Sequence, residues 1–155
     1  MLKKVPVYLK PFWERKSLEE MNPEEWESLC AGCGKCCLFK IKMKETDRIH
    51  YMNIACKHLD TLTCRCISYK NRGESIKECE ILTPQKVRKF YWLPKTCAYR
   101  RIAQGKSLFP WHHLISGDKE LVHRLGFSVK NKVISENNFS PIQLRVQIEN
   151  LLEKI

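Results

Sequence analysis

The sequence predicts a small, single-domain α+β protein, mostly helical, with one or two short strand pairs around a central cysteine cluster. Three observations lead there. Helix-starting signals recur at Ser17, Asn22, Thr83 and Ser140, whereas runs rich in β-branched and aromatic residues are few and short, at 48–55 and 127–134. All nine cysteines fall between positions 30 and 97. No internal repeat, low-complexity tract or Gly/Ser linker divides the 155 residues, so one domain is expected over 1–155, with its core over about 12–135 and a terminal helix over 141–154. The apolar share of 43% counts the nine cysteines, which leaves the ordinary hydrophobes lean and suggests that something besides a core holds the fold.

The first helical piece begins at Ser17, three residues before Glu20, the spacing of a capping box in which each residue satisfies a donor near the other. A second follows at once. Asn22 is its cap, Pro23 sits where a missing N–H costs nothing, and Glu25 completes another box. Trp26, Leu29 and Cys30 share the inner face of this helix, and Gly32 and Gly34 are expected to end it and turn the chain into a tight loop carrying Cys33, Cys36 and Cys37. Residues 48–55 (RIHYMNIA) read as a strand closed by Cys56. Thr83 and Pro84 open another helix, Pro94 interrupts it, and helical spacing resumes from Cys97 to Gln104 before Gly105. Residues 127–134 read as a short strand. Ser140 and Pro141 then cap a terminal helix whose Leu144, Ile148, Leu151 and Ile155 recur on one face, to pack on the core or on a partner.

The cysteines carry the chemistry. Thiols at i and i+3 in a glycine-containing turn can aim two sulfurs at one ion, since zinc takes thiolates at about 2.3 Å in a tetrahedron. Cys30, Cys33 and Cys36 meet that spacing twice, and Gly32 and Gly34 allow positive φ, which points backbone N–H groups toward sulfur and favours the thiolate. The same spacing serves iron–sulfur clusters. Cys37 is different, because adjacent side chains diverge, and it points to a second metal. Cys64 and Cys66 form another close pair, with Cys56, Cys79 and Cys97 single. Nine thiols allow two four-thiolate sites with one left over, or one site plus free cysteines, and spacing alone does not separate zinc from an iron–sulfur cluster.

The basic N-terminus is broken by Pro6 and Pro11 and lacks the apolar run of a secretory signal, and no apolar stretch is long enough to span a bilayer, so a cytoplasmic protein with no membrane partner is expected. Thiols there stay reduced, which favours metal over disulfides. The net charge of +11 is concentrated between Ile81 and Gly117, where no acid occurs while basic residues alternate with Phe90, Tyr91, Trp92, Tyr99, Phe109 and Trp111. That pattern allows a nucleic-acid surface. The more ordinary reading makes the aromatics core and the lysines a solvated face, and eight thiolates on two divalent ions would in any case take +11 to +7. His50 and His58 flank the first strand and His112 and His113 lie in a Pro/Gly-bounded loop; each can ligate a metal or transfer protons, His112 being the first to test.

The segments FWERKSLEEMNPEEWESLCAGCGKCC, NIACKHL, TCRCISY, EC followed by ILT, WLPKTCAYR and WHHLISG hold all nine cysteines. Over residues 12 to 135 the chain resembles the bacterial YcgN-like proteins of the CxxCxxCC family, a family described by zinc or iron chelation. The resemblance implies ligand candidacy for Cys30, Cys33, Cys36, Cys37, Cys56, Cys64, Cys66, Cys79 and Cys97, and supports His112 over His113. The expected function is a metal-binding protein chelating zinc or an iron–sulfur cluster. The alternatives are an iron–sulfur redox enzyme or electron carrier and, less favoured, a nucleic-acid-binding module. Walker, dinucleotide-binding and nucleophile-elbow motifs are absent from the sequence.

Overall fold

The computed structural model describes residues 9–155, and the fold over them is α+β, assembled from short and separately capped pieces. Residues 1–8, which include Lys3, Lys4 and Pro6 of the basic N-terminal stretch, lie outside the described residues. Helix α1 (Phe12–Arg15) leads to a 3₁₀ turn at Leu18–Glu20. The expected capping box is present there, with the Ser17 N–H donating to Glu20 Oε2 at 2.7 Å. Helix α2 (Pro23–Ser28) carries the second box: the Glu25 N–H donates to Asn22 Oδ1 at 2.8 Å and the Asn22 N–H donates to Glu25 Oε2 at 3.0 Å. Lys16 Nζ closes on the same carboxylate at 2.7 Å, tying the lead-in to the helix.

Helix α2 stops at Ser28, ahead of the glycines expected to end it. Leu29, fully buried, tightens the last turn by donating its N–H to the Trp26 carbonyl at 3.2 Å, so the helix closes without a glycine. Gly32 and Gly34 serve the loop instead, at φ of +71° and +74°. The position of Gly34 also requires glycine for space, because a Cβ there would lie 2.6 Å from Val129 Cγ2.

Strand β1 (Leu38–Lys42), absent from the sequence-based reading, starts immediately after Cys37. It pairs antiparallel with β2 (Ile49–Ala55), the strand predicted over 48–55, in a register of Leu38 with Ala55 and Lys40 with Tyr51 and an irregularity between them. Beyond it lies a two-stranded ladder of β3 (Leu59–Asp60) with β4 (Arg65–Cys66). The predicted strand over 127–134 is a correction: only its last residue is extended in a ladder, in β5 (Ile134–Ser135), which runs parallel to β2. Its remaining backbone is spent on loops, since the Val129 N–H donates to the Cys33 carbonyl at 2.9 Å and the Asn131 N–H to Thr61 at 3.2 Å, with Asn131 at φ +59°.

The helical side is built from α3 (Arg72–Ser75), α4 (Pro84–Lys89), α5 (Ala98–Ala103), α6 (His113–Ser116) and α7 (Leu121–Arg124). Thr83 caps α4 as predicted, accepting from the Lys86 N–H at 3.2 Å, and the helix ends before Pro94. Cys97 is the N-cap residue of α5. The terminal helix α8 (Pro141–Lys154) begins at Ser140, with Gln143 completing a capping box. Leu144, Ile148 and Leu151 on its predicted face are half-buried, whereas Ile155 is exposed.

Two apolar clusters result. Leu18, Leu29, Val87, Leu93, Ala98, Tyr99 and Leu108 form a helical one, and Leu38, Ala55, Leu59, Cys64 and Val129 form one beneath the sheets. The loop from Cys30 to Cys37 joins them, Cys30 packing on the first cluster and Cys37 on the second.

Candidate metal centre

Four cysteines pack against these clusters, Cys30 and Cys97 on the first and Cys37 and Cys64 on the second. Cys30 follows α2 and Cys97 starts α5, and both pack against the helical cluster. Cys33 lies within electrostatic reach of Cys36, Cys30 and Cys97, and Cys97 within reach of Cys36 and Cys30. On the other side the β1–β2 ladder does the positioning. Cys37 precedes β1 and Cys56 follows β2, so antiparallel pairing sets them side by side, with the Cys56 N–H donating to the Cys37 carbonyl at 2.9 Å. Cys66, opposite Leu59 in the second ladder, and Cys79 both lie within electrostatic reach of Cys56.

Cys64 stands apart. It is buried at 5% exposure in the apolar cluster under the sheets, at φ +56°, and burial pushes its thiol up.

Backbone donors face most of the sulfurs. The Gly32 N–H points to the Cys30 sulfur and the Lys35 N–H to that of Cys33, the arrangement expected of glycine-shaped turns. The His58 N–H lies 3.5 Å from Cys56 Sγ. At the start of α5 the N–H groups of Arg100 and Tyr99 point to Cys97. These donors favour thiolates, but burial outweighs them. It pushes the Cys30, Cys33, Cys56 and Cys79 thiols up and takes Cys97 to about 12. The Cys36 thiol, on a residue exposed at the surface, is pushed well up, first by its hydrogen bond to Cys37.

Two cations that sequence reasoning passed over approach the sulfurs. Lys40 Nζ donates to the Cys36 carbonyl at 2.7 Å and the Leu38 carbonyl at 2.8 Å, stands 4.7 Å from the Trp92 ring centre, and feels the charge of Cys36, Cys37, Cys56 and Cys79. Burial lowers its pKa. The Arg65 guanidinium covers the loop at Gly32, where a Cβ would lie 3.2 Å from Cζ. No local pattern distinguishes either from other basic residues of a strongly basic chain.

The donors suit a soft divalent ion or a cluster: grouped thiols, N–H donors to sulfur, and compensating positive charge. Among the described residues, however, no group of three or more His, Cys, Asp or Glu side chains is closed tightly enough to hold an ion in this conformation.

His112 is a structural residue by its contacts. It is 2% exposed, Nε2 lies 3.0 Å from the Leu29 carbonyl and Nδ1 accepts the Leu114 N–H at 3.2 Å, so both ring nitrogens are engaged within the protein. Burial lowers its pKa, in keeping with a neutral ring. It ties the Trp-His loop to the residue before Cys30. His113 stacks on it at 4.5 Å, and His58 Nδ1 bonds Ser68 Oγ at 2.8 Å.

Within the basic stretch between Ile81 and Gly117 several cations are engaged by the protein. Lys86 pairs with Glu80 at 2.9 Å, Arg88 pairs with Glu19, and Arg101 Nε donates to the Ser107 carbonyl at 2.6 Å. Tyr99 and Trp111 are buried, as the ordinary reading of the aromatics requires. No helix among the described residues is long and apolar enough to cross a membrane.

Residues 29–98, which hold all nine cysteines, match a family model described as "CxxCxxCC: Putative zinc- or iron-chelating domain". A UPF0260 protein of Cellvibrio japonicus is 55% identical over 126 residues, covering 81% of this chain and 86% of the relative. One of Vibrio campbellii is 48% identical over 145 residues, covering 94% and 95%, and one of Mesorhizobium japonicum is 50% identical over 123 residues, covering 79% and 83%. No solved structure matches the chain. With half its residues identical to those of these relatives over most of its length, the chain belongs to the UPF0260 family and carries the CxxCxxCC domain.

Proposed function

We propose that the protein binds metal in two four-thiolate centres, Cys30, Cys33, Cys36 and Cys97 in one and Cys37, Cys56, Cys66 and Cys79 in the other, with Cys64 a packing residue outside both. The observation that supports this reading is which sulfurs lie near one another: Cys30 and Cys97 pack on the helical cluster with Cys33 and Cys36 within electrostatic reach, Cys37 and Cys56 meet at one end of the β1–β2 ladder with Cys66 and Cys79 within reach of Cys56, and Cys64 is buried in the other apolar cluster. Adjacent Cys36 and Cys37 then serve neighbouring centres: their side chains, expected from the sequence to diverge, are hydrogen-bonded to each other in this conformation.

The cation supplies the charge that turns buried thiols into thiolates, and the residues of the chain do the rest. The Gly32, Lys35, His58, Tyr99 and Arg100 N–H groups orient and stabilise sulfur, and Lys40 and Arg65 offset the negative charge that eight thiolates bring. Because the sets are not closed in this conformation, binding metal and closing the site are one equilibrium, and uptake releases protons. The role that follows is metal chelation that fixes the fold, in the cytoplasm where such thiols stay reduced.

Purification without oxygen, followed by metal and acid-labile sulfide analysis with a visible spectrum, tests the reading and identifies the cargo. Zinc without sulfide gives structural centres; iron with stoichiometric sulfide makes the same eight thiolates electron-carrying. Protein free of both zinc and iron, and unable to take up either when reduced, would end the proposal.

A further inference from the structure

A second feature adjoins the first thiol set. A cleft of about 770 Å³ is lined by β2 residues Ile49, His50 and Tyr51, by Lys42, Asp47 and Arg48, and by the segment from Tyr91 to Lys95 with Arg100. That volume lies in the range of small-ligand sites. Four permanent cations, Lys42, Arg48, Lys95 and Arg100, face the one carboxylate of Asp47, a local excess of three positive charges. Their engagement differs. Lys42 is paired with Asp47 at 2.8 Å, and Arg100 is used by the protein, donating to the Tyr91 carbonyl at 3.0 Å and to the Leu93 carbonyl. Arg48 and Lys95 are exposed and have no carboxylate partner among the described residues.

The aromatic lining is just as specific. Tyr91 is 53% exposed beside the cleft with Lys42 Nζ 5.0 Å from its ring centre, an unusual exposure for a large ring in a chain whose neighbouring aromatics are packed. Trp92 and Tyr51 form a fixed wall, the Tyr51 hydroxyl donating to the Trp92 carbonyl. Tyr51 lies within electrostatic reach of Cys97, Cys36 and Cys33, so the wall of the cleft is also the flank of the first thiol set.

We propose that this cleft binds a ligand with a planar aromatic base and phosphate groups, of the nucleotide class, with Arg48 and Lys95 on phosphate and Tyr91 against the base. Cations alone would suit any anion, but an exposed ring next to unpaired cations along an open cleft matches base stacking combined with phosphate contact. An acidic peptide would use the charges and leave the ring idle. The inference does not depend on which metal the cysteines hold.

Isothermal titration of the reduced full chain with adenosine triphosphate, inorganic triphosphate, a short single-stranded oligonucleotide and a glutamate-rich peptide tests it. The expected result is saturable binding of the nucleotide or the oligonucleotide, tighter than binding of inorganic triphosphate. Binding of the mononucleotide identifies free nucleotide as the source, and binding of the oligonucleotide alone identifies a strand. Arg48→Ala and Lys95→Ala, both at exposed positions, are expected to weaken binding about tenfold each, and Tyr91→Ala to remove the preference for a base over inorganic triphosphate. Arg145→Ala, on the exposed terminal helix, is expected to change nothing. No saturable binding, equal binding of the peptide, or equal losses from Arg145→Ala and Arg48→Ala would overturn the proposal.

Discussion

At His112 the side chain spans two elements through one ring, receiving the Leu114 N–H and reaching the Leu29 carbonyl directly before the first cysteine. His112→Ala leaves a cavity and an unpaired buried carbonyl, and is expected to cost about 2–4 kcal/mol in chemical denaturation. Because burial depresses its pKa, the neutral ring contributes stability that is complete above the ordinary histidine range. That contribution is lost as the pH falls toward the lowered folded value, so the deficit of the variant should narrow in acid. A ligand role would instead show as lost metal without this pH signature. Gly34 gives a second residue-scale test: Gly34→Ala meets Val129 at 2.6 Å and a φ of +74°, whereas Gly105→Ala at φ +67° meets nothing within 4 Å. The second should cost about 1–2 kcal/mol from backbone strain alone, and the first clearly more. The need for positive φ at Gly34 was legible from its place in the cysteine loop. The approach of Val129 was not, since it depends on a loop nearly a hundred positions away.

Among the elements, those that announce themselves by their own ends were readable. Asn22, Pro23 and Glu25 start α2, Thr83 and Pro84 start α4, and Ser140 and Pro141 start α8, because capping is a local hydrogen-bond requirement that the chain satisfies within three residues. Strands are settled by partners elsewhere. β1 is five residues long and hidden behind the cysteine motif, while residues 127–134 had strand-like composition yet gave their N–H groups to Cys33 and Thr61. The Lys16–Glu25 contact offers a test at this scale. The lysine and the Asn22 N–H hold the Glu25 carboxyl below the usual glutamate range, so its contribution is present above that range and lost as the pH falls through the lowered value. Glu25→Gln should therefore lower Tm at neutral pH, with the difference from the unaltered protein closing in acid.

For the molecule as a whole, the cysteine spacing offered nine candidate ligands and left one centre or two open, and the proposed assignment of sulfurs to sets rests on tertiary structure. Cys97 joins Cys30 only because α5 packs beside α2 in the helical cluster, and Cys56 joins Cys37 only because β1 and β2 pair. With its two apolar clusters linked by the cysteine loop, the fold should depend on metal. Removing metal by chelation under reducing conditions is expected to lower Tm sharply or abolish cooperative melting, as followed by circular dichroism, and an unmoved transition would show that the thiols do not hold the fold. The most direct test of two centres is metal content per chain, by native mass spectrometry, for the unaltered protein and for Cys97→Ser, Cys79→Ser and Cys64→Ser. The account predicts two centres in the unaltered chain, the loss of a different one in each of the first two variants, and both retained in Cys64→Ser. A single centre in the unaltered chain, or the loss of one from Cys64→Ser, would contradict it.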